Sequence, residues 1–295
     1  MVKRRTAGKI SFDIINFVIM VFIAFACILP LWHVLCSSFS DPAHLARNEG
    51  AIFWPLGEMT IKGYQLVFRN PNIITGYGNT ILYVALGTTL NIFGVSLAGY
   101  VLSRKQLGMR NFFTFFITFT MMFSGGLIPT YMIVKNLGWI DKRIALIVPG
   151  ALSVFNIIIM RTSIQGIPDS LEESAKLDGA GNMTILFRII LPLVKATVAV
   201  LVLFSAVGHW NSWFNAMIYL QTRKLFPLQL ILREILIEND TTKIMVGSDA
   251  VNQMDLYKPL VQYCTTIVAT APILMVYPFV QKYFVTGVMI GSLKG

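Results

Sequence analysis

Six long stretches of this 295-residue chain contain no Asp, Glu, Lys or Arg, and they constrain the fold more than any motif does. The uncharged stretches are residues 14–40, 70–103, 111–134, 144–160, 196–222 and 259–281. An α-helix needs about 20 mostly apolar residues to cross roughly 30 Å of hydrocarbon. Five stretches exceed that length, and residues 144–160 fall at the short end of the usual range. The pattern predicts an all-α integral membrane protein with six transmembrane helices.

The composition supports the same class of protein. The chain is 55% hydrophobic and 13% charged, whereas about a quarter of the residues in soluble domains are charged. We therefore expect a single transmembrane domain over residues 1–295, without a separate soluble domain. The predicted spans cover residues 12–37, 76–103, 111–134, 144–161, 196–220 and 259–284. Inside them, Gly125-Gly126, Pro149-Gly150 and Pro272 are expected to loosen or kink the helices.

The distribution of Lys and Arg predicts the orientation in the membrane. With six spans, both termini and the loop 162–195 share one side, which carries thirteen Lys and Arg against five acidic residues. The other side, with loops 38–75, 135–143 and 221–258, carries eleven against nine. A basic excess in short loops marks the cytoplasmic side, so we expect cytoplasmic termini in a multi-pass membrane protein. The net charge of +10 then reflects topology and contact with lipid, and the dispersed bases predict no nucleic-acid partner.

Several function classes are excluded or disfavoured by what the sequence lacks. It contains no G-x-x-x-x-G-K-[ST] segment that could cradle the phosphates of ATP and no H-E-x-x-H metalloprotease motif. The uncharged stretches hold no intramembrane acid or base of the kind found in many ion-driven carriers. Cys27, Cys36 and Cys264 have neither metal nor disulfide spacing. We expect no catalytic residue, no metal site and no cofactor in this chain.

A polar segment, residues 161–195, interrupts the apolar sequence between the fourth and fifth predicted spans. Ser170 and Glu173 have the spacing of a capping box, which predicts a helix that begins at Leu171. Gly179 or Gly181 can end this helix in the left-handed conformation. Such a segment between two spans is either a docking surface for a soluble partner or a solvated loop with ordinary helix caps, and the residues alone leave both interpretations open.

A second amphipathic helix is predicted to follow in the same polar segment. Its apolar positions are Ile185, Ile189 and Ile190, and it runs to Pro192 before the next span begins. Two short helices joined by a glycine-bearing turn would form a compact unit outside the hydrocarbon.

Aromatic and neutral hydrogen-bonding side chains are concentrated in the fifth predicted span, which combines Trp210, Asn211, Trp213 and Asn215. Such groups are candidates for contact with a polar substrate. Asn156 and Asn91, in the fourth and second spans, are weaker candidates. The alternative interpretation is structural, because Asn side chains also form hydrogen bonds between membrane helices and Trp packs well at interfaces.

The polar segment resembles the cytoplasmic EAA signature of ABC importer permeases. The resemblance rests on Glu173-Ser174-Ala175, then Gly179, then Ile189-x-Leu191-Pro192, with Asp178-Gly179-Ala180 in the form common among sugar importers. Ser174 stands where Ala is usual, and Ala196 stands where Pro often closes the motif. Trp210-Asn211 and the end of the chain, residues 277–295, are also similar to carbohydrate-importer permeases of the maltose-importer type, in particular their oligosaccharide, polysaccharide and alginate branch.

The resemblance implies a type I importer fold and a division of labour between subunits. The chain would be the transmembrane permease of an ATP-driven importer and would pass oligo- or polysaccharide to the cytoplasm by alternating access. Its partners would be two ATP-binding subunits, which hold ATP and Mg, a second homologous permease subunit and an extracytoplasmic solute-binding protein. An ABC permease for a non-sugar solute and an ion-driven secondary carrier remain as alternatives.

The resemblance also implies roles for individual residues. The residues implied to couple the permease to the ATPase are Glu172, Glu173, Ser174, Ala175, Asp178, Gly179, Ala180, Leu191 and Pro192. Loop 223–258 would reach the sugar-binding protein, and the tail 285–295 would approach the ATPase subunits.

Overall fold

The computed structural model describes residues 7–237 and 254–292, and over these residues the chain is helical and forms no strand. The helices are α1 (Ala7–Ser38), α2 (Pro42–Arg47), α3 (Lys62–Arg69), α4 (Pro71–Ser103), α5 (Arg110–Met122), α6 (Leu127–Asn136), α7 (Ile144–Ile147), α8 (Val154–Gln165), α9 (Asp169–Leu177), α10 (Asn182–Thr184), α11 (Leu191–Leu193), α12 (Lys195–Trp210), α13 (Phe214–Tyr219), α14 (Leu228–Ile237) and α15 (Met254–Ser292). A π-helical turn, Ile185–Ile190, joins α10 to α11, and a 3₁₀ turn, Arg223–Leu225, precedes α14. Helices are expected because hydrocarbon leaves every backbone polar group to be satisfied within its own segment.

Three helical segments are long and apolar enough to cross a membrane alone. They are Ser11–Ser38, Pro71–Ser103 and Leu256–Val276, which correspond to the first, second and sixth predicted spans. Two bent pairs of helices could each form one further span, Arg110–Met122 with Leu127–Asn136 and Asn182–Leu193 with Lys195–Trp210. By length and composition the described residues therefore hold three to five spans, and the predicted number of six is not confirmed.

Glycine and proline break the helices at two of the three predicted positions. Between α5 and α6 the axis turns by 109°, and Gly126 has the positive φ of 84° that such a turn favours. The predicted fourth span, 144–161, contains two helices separated by residues 148–153, where Pro149 and Gly150 lie. In contrast, α15 continues through Pro272.

The first of two compact units comprises Met1–Asn70 and Glu234–Thr270. In it, the end of α1 is tied to α3 and α15 through Ser38. The Ser38 hydroxyl is 2.7 Å from the Tyr64 hydroxyl, and the Cys264 thiol donates to the Ser38 carbonyl at 3.3 Å. Gly63 permits this approach, because a Cβ there would lie 2.5 Å from Cys264 Sγ. The apolar window of α1 is unburied, as expected of a surface that faces lipid or another subunit.

The second unit comprises Pro71–Arg233 and Ala271–Gly295 and has two apolar clusters. The first cluster packs α4, α8, the π-helical turn and α12 together, and it includes Val95, Met160, Leu186, Ile190 and Leu201. The second cluster packs α4, α6, α7, α13 and α14 together, and it includes Tyr83, Val134, Ala145, Ala216 and Leu230. Helix α4 contributes to both clusters and is the scaffold on which the other elements lie.

Polar side chains fix the segment that follows α13. Asn79 donates to the carbonyls of Lys224 and Phe226 at 2.7 and 3.1 Å. Asp141 accepts the Thr222 amide at 2.7 Å and the Thr222 hydroxyl at 2.6 Å. The hydrogen bond from the Thr222 hydroxyl contributes most to lowering the pKa of Asp141 below its ordinary value, and the bond from the Thr222 amide adds to it. The start of the loop after the fifth predicted span is therefore held in place rather than loose.

A pair of glycines in α4 tests how tightly this helix packs. In Gly99→Ala the new Cβ would lie 2.6 Å from Met160 Cγ and 3.1 Å from the Arg161 amide nitrogen, whereas nothing lies within 4 Å in Gly78→Ala. Overpacking costs about 1–3 kcal/mol, so Gly99→Ala should lower the unfolding temperature of the purified protein in detergent. Gly78→Ala should leave it unchanged or raise it. Equal unfolding temperatures for the two variants would contradict the close packing of α4 on α8.

Candidate functional site

Helix α9, the first helix of the polar segment, begins at Asp169, two residues earlier than predicted. Pro168 is its N-cap residue, and no side chain caps its amides. Ser170 lies inside the first turn, so the predicted capping box with Glu173 is wrong. The fixed φ of Pro168 suits a helix entry, and the acidic side chains of Asp169 and Glu172 complement the positive end of the helix dipole.

The end of α9 forms as predicted at Gly179, which has a φ of +82°. The Gly179 amide donates to the Lys176 carbonyl at 3.0 Å, and the Ala180 amide donates to the Ala175 carbonyl at 2.9 Å. This pair of bonds is a Schellman motif, in which a left-handed residue closes the helix. Gly181, the alternative candidate, has an ordinary φ of −73°.

Glu172 anchors α9 to the end of α4. The residue is 5% exposed, and its side chain forms ion pairs with Arg104 and with Lys176, whose Nζ lies 3.0 Å from Oε1. The Tyr100 hydroxyl donates to the same carboxylate at 3.4 Å. The Arg104 guanidinium in turn lies 4.1 Å from the centre of the Tyr100 ring, a cation–π distance. We call Glu172, Arg104, Lys176 and Tyr100 the anchor cluster.

A second, exposed ion pair lies beside the anchor cluster. Lys105 Nζ is 2.7 Å from Asp169 Oδ2, and the two side chains are 78% and 60% exposed. The hydrogen bond from Lys105 holds the pKa of the Asp169 carboxyl below its ordinary value. Burial, by contrast, lowers the pKa of the Arg104 guanidinium. The buried pair fixes the position of α9, whereas an exposed pair contributes little.

Burial divides the residues that the sequence assigned to ATPase coupling. Glu172 and Ala175 face the interior, since both are buried, and they do not belong to a surface that a partner could touch. Ala180 is half-buried. The exposed assigned residues on α9 and at its end are Glu173, Ser174, Asp178 and Gly179, and together with their exposed neighbour Leu177 they form what we call the loop surface.

Leu177 is a member of the loop surface that the sequence reasoning missed. Its side chain is 89% exposed, the highest value among the large exposed apolar side chains of the described residues. Its exposure could have been inferred from its spacing. Leu177 follows Ala175 by two residues, which places the two side chains on opposite faces of a helix with 3.6 residues per turn. A single exposed apolar side chain is common on protein surfaces, so Leu177 counts here only as part of the loop surface.

The second helix of the polar segment packs against the core as predicted. It extends over Asn182–Leu193 and meets α12 at an angle of 88°. Ile185 and Ile190 are fully buried in the first apolar cluster, and Ile189 is half-buried against it. At the bend, Leu191 is half-buried and Pro192 is exposed.

The structure brings the fifth-span candidates together at a break in the helix. Helix α12 ends at Trp210 and α13 begins at Phe214, so the predicted span 196–220 is interrupted. Around the break, the side chains of Asn211, Trp213 and Asn215 are exposed. The buried indole nitrogen of Trp210 donates to no partner among the described residues.

Arg233 on α14 joins this group, and the sequence reasoning did not identify it. Its guanidinium lies 5.0 Å from the centre of the Trp213 ring. The two residues are 20 positions apart in the sequence, and no periodicity or motif links them. The contact depends on how α13 and α14 pack, which is tertiary information.

Asn91 and Asn156, the weaker candidates, lie together elsewhere. Asn156 donates to Asn91 at 3.2 Å, and Asn91 donates to the Ala151 carbonyl at 2.8 Å. Both side chains are buried, at 3% and 5% exposure. Their hydrogen bond joins α4 to α8. Asn91 and Asn156 therefore have the structural role that was the alternative to contact with substrate.

Together these elements define a helical membrane protein with a rigid, partly exposed polar loop and a broken helix lined by aromatic and amide side chains. Comparisons with known proteins fit that class. The chain is 37% identical over 289 residues to protein LplC of Bacillus subtilis (strain 168), covering 98% of this chain and 96% of LplC. It is 37% identical over 289 residues to the polygalacturonan/rhamnogalacturonan transport system permease protein YtcP of the same organism, covering 96% and 98%.

A solved structure gives the same result. The fold matches a chain in the crystal structure of a bacterial ABC transporter involved in the import of the acidic polysaccharide alginate, with a TM-score of 0.85 and 29% identity. The match covers 95% of this chain and 98% of that chain. No family model matches the sequence. The chain therefore belongs to the permease subunits of sugar ABC importers, which are components of membrane transport.

The anchor cluster predicts a specific loss of stability. Glu172→Gln removes the charge that two cations share and leaves Arg104 partly buried without a carboxylate, which should cost about 2–3 kcal/mol. Lys105→Ala removes the exposed neighbouring pair and should have no measurable effect. Thermal unfolding of both purified variants in detergent measures the difference. If Lys105→Ala destabilised the protein as much as Glu172→Gln, the anchor cluster would not be what fixes α9.

Proposed function

We propose that this chain is one of the two permease subunits of an ATP-driven importer for oligo- or polysaccharide. The observation that carries the proposal is the loop surface, which is exposed, ends in a Schellman motif and is fixed to α4 by the anchor cluster. A rigid exposed surface suits a partner that pushes on it. The saccharide class is supported by YtcP, which is named for polygalacturonan/rhamnogalacturonan transport, and by the structural neighbour, which is involved in the import of alginate.

The proposed topology is a single transmembrane domain of six spans with both termini in the cytoplasm of a bacterial inner-membrane protein. In this arrangement α7 with α8 forms the fourth span and α12 with α13 forms the fifth. The bias of Lys and Arg toward one side supports the orientation. The polar segment 162–195 then lies in the cytoplasm, where ATP is available.

The proposed assembly contains four other subunits. Two ATP-binding subunits would bind ATP and Mg and would hydrolyse the ATP. A second homologous permease would complete the path, and an extracytoplasmic binding protein would deliver the saccharide. The absence of a phosphate-cradling motif from this sequence supports ATP hydrolysis on partners. Residues 238–253 of the loop expected to reach the binding protein lie outside the described residues, as do residues 293–295 of the expected ATPase-facing tail.

Coupling would run from the loop surface to α4. A partner that moves Glu173, Leu177 or Asp178 would move all of α9, since the helix is closed at Gly179 and its other face is buried. Glu172 and Ala175 would act as the buried side of the same device, and Ala180, Leu191 and Pro192 would support the turn and the bend beside it.

The sugar path would pass the break between α12 and α13. Exposed Asn side chains in an apolar span are costly against lipid, so Asn211 and Asn215 fit a water-filled path. Trp213 adds an exposed indole surface, and the half-buried Trp210 ends α12 at the same break. Asn91 and Asn156 stay outside this proposal, because their hydrogen bonds are already made within the protein.

Coupling is tested in proteoliposomes that contain the complete transporter and its binding protein. Wild-type uptake of saccharide should require ATP, and an ion gradient alone should not support it. Gly179→Pro should abolish uptake and substrate-stimulated ATP hydrolysis, because Pro cannot adopt a φ near +82°. Glu173→Lys should do the same by reversing a charge on the loop surface.

Gly181→Ala is the matched control, since Gly181 has an ordinary φ and nothing lies within 4 Å of its added Cβ. It should retain both activities. Normal substrate-stimulated ATP hydrolysis in assembled Gly179→Pro and Glu173→Lys complexes would contradict the proposal that the loop surface couples the permease to ATP hydrolysis.

The sugar path is tested by truncating its side chains. Trp210→Ala and Asn211→Ala should each lower the uptake rate by about fivefold to tenfold, the loss expected for a hydrogen-bonding contact. Asn136→Ala, which removes an exposed Asn at the end of α6, should transport normally. Complex assembly is followed by size-exclusion chromatography. Unchanged transport kinetics in both variants would show that the saccharide does not pass along Trp210 and Asn211.

A further inference from the structure

A cavity of about 260 Å³ lies between the ends of α4 and α8 and the starts of α5 and α9. Its lining includes three basic side chains and two carboxylates, which are Arg104, Lys105, Arg110, Asp169 and Glu172. A single water needs only about 10–15 Å³ of such space, so the cavity has room for a larger polar group. It touches the anchor cluster through Arg104 and Glu172, and neither the anchor cluster nor the loop surface fills it.

The charges that line this cavity do not cancel. Glu172 is neutralised within the anchor cluster, and Asp169 lies 2.7 Å from Lys105. Arg110 is half-buried, and over residues 7–237 and 254–292 it forms no ion pair with an acidic side chain. The cavity therefore carries an excess of one positive charge, and Arg110 supplies it.

Hydrogen-bond donors accompany this charge. The Nε–H group of Arg104 is buried and reaches no acceptor among the described residues, and the side-chain amide of Gln165 lines the same cavity. The turn between α4 and α5 is closed by two backbone bonds, from the Leu107 amide to the Arg104 carbonyl at 3.4 Å and from the Arg110 amide to the Leu107 carbonyl at 3.3 Å. Guanidinium groups form charge-assisted hydrogen bonds with phosphate oxygens, so the cavity suits a phosphate group.

An exposed apolar face of α5 begins next to Arg110. Its members recur at the spacing of one helix face, and they are Phe112, Phe115, Phe116 and Phe119. The Phe112 and Phe116 rings stack with their centres 6.3 Å apart. In the proposed topology Arg110 lies at the cytoplasmic boundary of the membrane, and α5 extends from there into the hydrocarbon. A phospholipid would use both features, with its phosphate in the cavity and an acyl chain along the phenylalanine face, whereas a soluble anion would use only the cavity.

We propose that this cavity binds the phosphate of an anionic phospholipid from the cytoplasmic leaflet, with Arg110 and the Nε–H group of Arg104 as donors. Basic pockets between membrane helices on the cytoplasmic side recognise anionic headgroups in this way. Because Asp169 lines the same cavity, the bound headgroup lies against the start of α9. The inference goes beyond the proposed function and rests on it only through the proposed topology.

The test measures lipid binding by the purified full-length chain in detergent. The probes are dioctanoyl phosphatidylglycerol, dioctanoyl phosphatidylcholine and inorganic phosphate, and the rise of the unfolding temperature with probe concentration gives an apparent Kd for each. Wild type should bind phosphatidylglycerol more tightly than the other two probes. Arg110→Gln should weaken that binding by about tenfold or more, the effect of losing a charged hydrogen bond. Arg188→Gln is the matched control, because it removes an exposed Arg and the same unit of charge from the polar segment, and it should bind as wild type does.

Several results would overturn the inference. Equal weakening in Arg110→Gln and Arg188→Gln would assign the effect to overall charge rather than to this cavity. Inorganic phosphate or phosphatidylcholine that bound as tightly as phosphatidylglycerol would exclude an anionic lipid as the specific ligand. Wild-type affinity for phosphatidylglycerol in Arg110→Gln would also overturn it, and if that variant lost the ATP-binding subunits during purification of the complete transporter, the cavity would belong to that protein interface instead.

Two features keep the test decisive. If Arg110→Gln did not fold, Arg110→Met would be compared with wild type in the same way, because Met retains an apolar stem of similar length without the charge. Lipid binding is measured without saccharide or ATP, so its failure leaves the uptake assays of the proposed function untouched, and a failure of uptake leaves the binding result standing.

Discussion

Hydrocarbon offers no hydrogen-bond partner to a peptide group, and the architecture of this permease depends on that constraint. The apolar stretches are helices because no other local structure satisfies their amides and carbonyls. Where the helices break, the cause is local. At Gly126 a positive φ turns the chain sharply between α5 and α6. The break from Asn211 to Trp213 is different, since it exposes amide and indole side chains instead of glycine backbone. The break at Gly126 therefore changes the direction of the chain, whereas the break at residues 211–213 presents polar side chains, and the two differ in residue type.

The polar segment must leave the apolar environment and still be mechanically joined to it. A buried carboxylate is costly unless it is paired and hydrogen-bonded, and Glu172 meets both conditions through Arg104, Lys176 and Tyr100. The pairing orients α9 so that Leu177 faces outward. A force applied to that outward face acts on α4 and not on a loop that could yield. The buried charge of Glu172 therefore holds the inner face of α9 against the protein and leaves its outer face exposed.

The sequence predicts the helical membrane fold because hydrocarbon allows few alternatives. It also predicts that Gly179 or Gly181 ends α9, because few other residues adopt a positive φ cheaply, and Gly179, with φ near +82°, is the one that does. It misplaces the start of α9, since the spacing of Ser170 matches a capping box while Pro168 provides an earlier entry. It also leaves the burial of Glu172 undetermined, because Tyr100 lies 72 positions away in the chain. Local rules fix local geometry, whereas contacts such as that of Arg233 with Trp213 arise only when distant helices pack.

Helix α4 carries polar side chains at three heights, and each is bonded to a different segment. Asn79 holds the loop before α14, Asn91 holds α8 through Asn156, and Tyr100 holds α9 through Glu172. At 1.5 Å per residue, Asn79 and Tyr100 are roughly 30 Å apart along the axis. An entirely apolar helix would insert into lipid equally well, so insertion does not explain these residues. Lipid tails compete with side chains for apolar contacts but offer no hydrogen bonds, and the polar positions therefore specify which neighbours α4 accepts.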